Sequence, residues 1–537
     1  MSTRAFPDLG GGTIGGLLAS RAAANPNKVA VICNEVSRTY RALDAAARVI
    51  GSALLELGCQ KSESVAIYLS NTIEFLETWM GTATAGLVQV PINTAYKQSF
   101  LEHALAHPDV RVLITESSLV EALLELPALP ECVETIVFID RIPPSIRDCG
   151  RRVIGWGDLV AMGDPDYSFP PVRPSDITAI QLTSGTTGKS KGVELPHLHN
   201  LVGAREGAEA MGNSQGDRIY TCLPLFHGAA QINIFLRALY LGATSVIAPK
   251  FSARKFWNDI RSYEVTEFNA LGSMLPVLLA QPPSEQDREH AVRRIFAAPA
   301  PADVLYRFED RFGVHIVEGY GSTEMKNVLH NPLDNRRVGS LGKPTASTIL
   351  EIHDENGNRA PAGSVGEIVY RPKQPHVMFT RYYRDPEATL AVFHDLWFHT
   401  GDLGFMDQDG FFYFVDRKKD ALRRRGENIS SQEIESILTA FPSVLDAAVV
   451  AVPSELGEDE ILAVIHVEDP GNFDMSALFA HNDALMPHFM VPRFYRAVDS
   501  LPRTPTGKIR KVELRETSQH TDIWDAHHHG HRPTRRS

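Results

Sequence analysis

Cysteine is scarce in this sequence and follows no pattern. Five thiols (Cys33, Cys59, Cys132, Cys149 and Cys222) are scattered over 537 residues with no CxxC spacing. A disulfide framework is therefore not expected, and reduced thiols are. Long apolar runs are missing as well. No stretch of 18 uncharged apolar residues occurs, which predicts no membrane span, and the opening MSTRAFPDLGGGTIGGLLASRAAANP lacks the apolar core of a secretory leader. Nor is there an excess of positive charge. Lys and Arg number 53 against 65 Asp and Glu, a formal charge of -12, which argues against broad attraction to nucleic acid or anionic membrane. A cytoplasmic protein without nucleic-acid partners or a membrane span is expected.

What is present is an ordinary globular composition, 43% hydrophobic and 22% charged, on a chain too long for one core. The first half alternates apolar runs (Val65–Leu69, Leu87–Ile92, Val112–Thr115, Thr135–Ile139) with helical lengths such as Glu74–Ala85. That rhythm predicts parallel sheets covered on their faces, an α/β fold. From Ile349 to Val415 the texture becomes shorter β segments punctuated by Asp354-Glu355-Asn356-Gly357 and Asp407-Gln408-Asp409-Gly410. These read as turns of an antiparallel, β-rich unit. A charged run, Asp416 to Asp420 with Arg423 to Arg425 behind it, is by itself an ordinary solvated face. Its position is more informative, because a compact α+β stretch follows. Ser430-Ser431-Gln432-Glu433 fits a capping box opening a helix to about Ala440, and Ala447–Val452 and Ile461–Val467 read as strands. The expected organisation is a large domain over 1–417, a small one over 418–517 and a flexible tail over 518–537, whose His527–His531 cluster has little claim to be a metal site.

The richest local motif is Thr183-Ser184-Gly185-Thr186-Thr187-Gly188-Lys189-Ser190-Lys191-Gly192. Glycines let backbone approach a ligand, hydroxyls donate to phosphate oxygens, and two lysines supply charge. It follows an apolar run, Ile177–Leu182, as a strand-to-loop element does. A Walker A loop would need glycine at 183, where threonine stands, so this is a phosphate loop of another kind.

These residues resemble the phosphate loop of the adenylate-forming superfamily, which includes acyl-CoA synthetases, luciferases and peptide-synthetase adenylation domains. Further matches follow in the family's order: CLPLFHG at 222–228, GYGSTE at 319–324, HTGDL at 399–403, DRKKDALRRRGENI at 416–429 and PRTPTGKIRK at 502–511. The RRRGENISSQEIE segment is most similar to the carnitine/crotonobetaine-CoA ligase group. The resemblance implies that a small-molecule carboxylic acid is activated with ATP and Mg2+ to an acyl-adenylate and then passed to coenzyme A. It further implies that Glu324 holds Mg2+, that Thr323 meets the α-phosphate, and that Tyr320 and Gly321 border the adenine. Asp402, helped by Arg417, would bind the ribose hydroxyls, and Ala298 and Pro299 would sit in the adenine-contacting loop, where this chain has Ala in place of the commoner glycines.

Lys508, at the tip of a Pro-Thr-Gly turn, would stabilise charge on the transferring phosphoryl group; its neighbours Arg510 and Lys511 read as surface residues. The resemblance implies that the small domain pivots near Lys419 and in its second pose presents Gly426 to the incoming thiol arm. His227 would gate an acyl pocket with walls at Gly272, Gly319 and Met325. A homodimer is implied by analogy alone. Three other functions share these motifs. One is a free-standing loader of a carrier protein, one an amide synthetase in which an amine captures the adenylate, and one a non-catalytic nucleotide-binding module. Intact Thr323, Glu324, Asp402 and Lys508 weigh against the last.

Overall fold

The computed structural model describes residues 7–183, 190–272, 274–298, 302–418, 422–424, 427–429, 431–453, 459–486, 488, 490–503, 509–516 and 522–533. Two seven-stranded sheets form the large domain. One runs, in spatial order, Arg152–Gly155, Thr135–Phe138, Val110–Thr115, Ser64–Tyr68, Val88–Pro91, Ile177–Thr183 and Lys191–Pro196. All neighbours are parallel except the last pair, which is antiparallel with Thr183 opposite Lys191. The other sheet, from His315–Val317 to Val36–Thr39, repeats the design: five parallel pairings and one antiparallel edge. The expected parallel sheets are present, with strand ends within two residues of the apolar runs.

These strands form because their runs are apolar on both faces, and both faces are covered. Ser64–Tyr68 is buried at every position. The helices Tyr40–Glu56 and Ile73–Ala85, each opened by a threonine that accepts a backbone N–H, pack between the sheets in one continuous apolar cluster that includes Trp79 and Phe235. All five cysteines are free, and burial pushes the Cys33, Cys59 and Cys222 thiols up to about 12. Among the described residues, no helix is long and apolar enough to cross a membrane.

The β-rich unit is antiparallel, as the turn residues predict. Thr348–His353, Gly366–Pro372, Trp397–Met406 and Phe412–Arg417 pair in sequence order around Tyr370, Phe379, Phe398 and Phe412. The Asp407 turn closes a tight hairpin, with Asp407 N–H donating to the Phe411 carbonyl at 2.9 Å. The Asp354 turn closes one as well, Asp354 N–H donating to the Asn358 carbonyl at 2.8 Å with His353 and Arg359 bridging antiparallel, before the next strand begins at Gly366.

The smaller C-terminal domain carries a four-stranded sheet of Val444–Pro453, Asp459–Val467, Phe494–Val498 and Trp524–Asp525, with helices Ser431–Thr439 and Met475–Leu485 on its apolar face. The expected capping residue Ser430 lies outside the described residues. At the helix start, Ser431 N–H donates to Asp416 Oδ2 at 2.6 Å. The tail departs from expectation. Trp524–Asp525 pairs antiparallel with Phe494–Val498, Arg493 holds Asp525 at 2.8 Å, and Ala526 is fully buried. The histidines that look like a metal cluster are packing groups: His529 stacks on Trp524 at 5.1 Å and His531 meets Ser476 Oγ at 3.2 Å. A polar composition does not reveal one tryptophan with a sheet edge to cover.

Candidate active site

Three elements converge on one cleft. The first is the hairpin Gly319–Ser322 and Lys326–His330, whose turn carries Thr323, Glu324 and Met325. Close backbone contact fixes its residue types. A Cβ on Gly321 would lie 2.0 Å from the Lys326 carbonyl oxygen, and one on Gly319 would lie 2.7 Å from the Phe296 ring. The second is the strand Trp397–Met406, where Gly401 takes a left-handed φ of 70°. Thr400 Oγ1 donates to the Ile368 carbonyl at 2.6 Å and accepts from the Asp402 N–H at 3.1 Å. The third is Phe412–Arg417, whose last residue stands directly opposite Asp402.

The result is a tight polar constellation. Tyr320 O–H donates to Asp402 Oδ2 at 2.6 Å, and Arg417 Nε lies 3.2 Å from Asp402 Oδ1. Burial and the adjacent Asp402 charge push the Tyr320 phenol well above its usual range, so it stays a donor at neutral pH. A carboxylate offers about four lone-pair sites, enough for several donors at once. Tyr382 O–H donates to Glu324 Oε1 at 2.9 Å, and burial and the Glu324 charge push that phenol up too. Ser322, Glu324, Met325, Tyr382, Asp402 and Arg417 share the lining of one cleft of about 150 Å³.

Beside these residues a second polar cluster gathers on Glu367, a residue that no local motif announces. Glu367 Oε2 receives His399 Nδ1 at 3.1 Å and Lys418 Nζ at 3.0 Å, while Oε1 receives the Gly401 N–H at 3.0 Å. Burial alone would raise its carboxyl, but the hydrogen bonds from His399 and Lys418 outweigh it and hold the group below the usual range. Glu367 thereby anchors both the left-handed turn before Asp402 and the chain just after Arg417. Tyr382 is likewise remote in sequence from Glu324, and nothing in its spacing gives it away.

Tyr320, Gly321, Thr323, Glu324, Met325, Asp402 and Arg417 come together on these three elements. Met325 is buried in the apolar cluster under the hairpin. Thr183 ends one strand and Lys191 begins the next, with the Lys191 ammonium 4.7 Å from the centre of the Tyr382 ring. The phosphate loop is thus tied to the residue that holds Glu324, although Ser184, Gly185, Thr186, Thr187 and Gly188 themselves lie outside the described residues. So do Pro299, Lys419, Gly426 and Lys508. Ala298 ends the strand Arg294–Ala298, its backbone paired with Leu271, one residue before Gly272. His227 opens the short helix Gly228–Ala230 and packs on Phe226, ring centres 4.6 Å apart.

Around the Lys508 loop the flanks are described. Arg503 and Ile509 bridge as antiparallel partners, Arg510 N–H donates to the Pro502 carbonyl at 2.8 Å, and Arg503 pairs with Asp446. One expectation is corrected here. Lys511 is not a plain surface lysine, because its side chain is 16% exposed and bonds Glu435 at 2.8 Å and Ser431 Oγ at 2.6 Å. Arg510 pairs with Glu513 one turn on.

Comparison with known proteins gives this arrangement a lineage. The model of the AMP-binding enzyme matches residues 18–383, and that of the AMP-binding enzyme C-terminal domain matches 433–508. The chain belongs to the AMP-binding enzyme family. One curated relative of this AMP-binding enzyme is the crotonobetaine/carnitine–CoA ligase of Salmonella typhi, 32% identical over 485 residues that span 89% of this chain and 93% of that protein. Among solved structures, the anthranilate CoA ligase AuaEII in complex with anthranoyl-AMP aligns with a TM-score of 0.83 at 25% identity, covering 94% of this chain and 97% of that one. ATP-bound MatB from Rhodopseudomonas palustris aligns at 0.82 and 26% identity, covering 94% and 98%. The large α/β domain and smaller C-terminal domain of the AMP-binding enzyme are those of this fold.

Proposed function

We propose that this AMP-binding enzyme is an AMP-forming acid–thiol ligase. It joins a small carboxylic acid to AMP with release of pyrophosphate and then transfers the acyl group to coenzyme A. The observation that carries the reading is Asp402, held by Tyr320 and Arg417, sharing one cleft with Glu324. A ring platform beside a charged, doubly supported acceptor suits a nucleoside, whose two ribose O–H groups need a strong acceptor. Coenzyme A as acceptor is supported by relatives named as CoA ligases along nearly the whole chain. No observation favours an amine or a carrier protein in its place.

The residues act in a definite order. Thr183 to Lys191 would cradle the phosphates and Tyr320 would flank the adenine, with Gly321 admitting it closely and Ala298 and Pro299 closing its far side. Asp402 and Arg417 would fix the ribose. Thr323 would donate to the α-phosphate, and Lys508 would lie against the oxygens that gain charge as the carboxylate attacks. The Glu324 donor set fits Mg2+: a single half-buried carboxylate, oriented through Oε1 by Tyr382, suits a hard cation that keeps its waters and shares substrate phosphates. Bound there, the ion would neutralise phosphate charge. Withdrawal of Lys508 about Lys419 would then bring Gly426 to the thiol arm, with His227 at the acyl end. Five free thiols support a reducing, cytoplasmic location.

The test is mass spectrometry of products after incubation with ATP, Mg2+, a panel of carboxylic acids, coenzyme A and amino acids together. Acyl-CoA and AMP are expected; an acyl-amino-acid amide would replace the acceptor. Lys508→Ala is expected to abolish acid-dependent pyrophosphate release while sparing thiol capture of a supplied acyl-adenylate. Equal loss of both steps would refute the role of Lys508.

A further inference from the structure

Two asparagines meet where the fold has no need of them. Asn327 Nδ2 donates to Asn233 Oδ1 at 3.1 Å. Asn327 lies on the returning strand of the site hairpin, directly opposite Gly321. Asn233 lies on a π-helical turn, Gln231–Leu236, that starts four residues beyond His227. Such turns are rare and cluster at functional sites. Both asparagines are half-buried, whereas their chain neighbours Ile232, Ile234, Lys326 and Val328 are buried. Their partial exposure leaves the joined amides an opening, and we infer that it is a gap between the hairpin and the turn.

The gap belongs to the site on a second ground. Gln231, at the head of the π-helical turn, accepts from Gln89 Nε2 at 3.1 Å and Gln181 Nε2 at 3.2 Å, and donates to the Leu225 carbonyl at 2.8 Å. Gln181 sits on the strand that runs into the phosphate loop. The turn is therefore fastened to the nucleotide-bearing sheet on one side and faces the hairpin on the other. Charge is cancelled here: the Lys326 ammonium is spent on Glu206, both side chains fully buried. Whichever way the two amides are turned, one bond between them leaves at least one N–H and one oxygen facing the gap.

We propose that the acid this enzyme activates carries a neutral hydrogen-bonding substituent, a hydroxyl, oxo or amide group, read by the Asn233–Asn327 pair. This rests on the ligase reading given above. A plain alkyl chain would leave both amides desolvated with their remaining groups unpaired, and the two asparagines offer a second ionised group no opposite charge.

The experiment is kcat/KM for pyrophosphate release over straight-chain monocarboxylates and their hydroxy- and oxo-substituted counterparts, with the substituent moved along the chain. The parent enzyme is expected to favour one substituted acid over its unsubstituted match by at least about tenfold. Asn233→Leu and Asn327→Leu should each erase most of that ratio, the change falling on the acid and not on KM for ATP. Asn233→Ser, which keeps a donor and an acceptor, should retain more of it and serves if the leucine variants fold poorly. Preference for the unsubstituted acid, or a ratio unchanged in the variants, overturns the proposal and leaves the ligase reading standing. Release with no acid in the panel overturns both.

Discussion

Replacing Lys326 by methionine takes away half of a fully buried ion pair. Lys326 Nζ lies 2.5 Å from Glu206 Oε2 with neither side chain exposed, and Glu206 Oε1 also accepts the Ser347 N–H at 2.7 Å. Burial works against the Glu206 carboxylate, but the Lys326 ammonium and the hydrogen bonds from Lys326 and Ser347 outweigh it and hold the group below its usual range. Removing one partner of such a pair costs about 3–5 kcal/mol, because an uncompensated charge is left in the interior. That corresponds to a fall in Tm of roughly 4–6 °C, because about 2.1 cal/mol/K per residue over a domain of roughly 400 residues makes about 1.2 °C per kcal/mol. Lys326 also holds a left-handed φ of 66°, a conformation costing a side-chain-bearing residue on the order of 1–2 kcal/mol. The ion pair sustains that turn, which directly follows Thr323, Glu324 and Met325. Acid-dependent pyrophosphate release should therefore fall along with stability. The assay is thermal and urea unfolding of the parent, Lys326→Met, Glu206→Gln and the double variant, with pyrophosphate release measured on each. The double variant has no stranded charge and should recover most of the lost stability. A Tm for Lys326→Met within 2 °C of the parent, or a double variant no better than the single, would refute the reasoning.

Two other outcomes are expected. Burial lifts the Glu318 carboxyl, one residue before the hairpin, from 4.5 to about 7. Between those values the unfolded chain releases a proton that the native state keeps, so this group's contribution to stability falls as pH rises through the window and is flat above it. Glu318→Gln should thus gain Tm over the parent on going from pH 5 to pH 7.5; an equal difference at both would exclude the shift. Gly321→Ala would place a methyl 2.0 Å from the Lys326 carbonyl oxygen and 2.7 Å from Asn327 Cα, forcing the hairpin strands apart and Tyr320 off Asp402. A loss of at least about tenfold in kcat/KM for pyrophosphate release is expected, and a variant within twofold of the parent would show that the hairpin can give.

The fold was legible wherever one physical signal dominated. Val65–Leu69 and Thr135–Ile139 announce buried parallel strands because covered sheets demand continuous apolar runs, and the observed strands Ser64–Tyr68 and Thr135–Phe138 differ from them by no more than one residue at either end. Asp407–Gly410 announces its turn through residue chemistry. The site was legible where backbone constraint writes itself into short motifs, as in the close-packed Gly321 and the left-handed Gly401. What the sequence hides is support from a distance. Tyr382 on Glu324, Glu367 under Gly401 and Glu206 on Lys326 are each joined through space across 34 to 120 residues, and no local spacing encodes such partners. Lys511 looks like a surface lysine in sequence for the same reason, since its partners Glu435 and Ser431 precede it by 76 and 80 residues.

The short strand Trp524–Asp525 has a consequence for handling the protein. Phe494–Val498 lies between it and Asp459–Val467, so without the tail that strand would be the rim of the small sheet, its outward N–H and C=O groups open to any other chain. The indole that stacks on His529 and the buried Ala526 would leave with it, baring part of the apolar cluster around Phe479 and Tyr495. Trimming the chain at its seemingly dispensable polar end would thus convert a finished hem into an adhesive one, and self-association would be its first symptom.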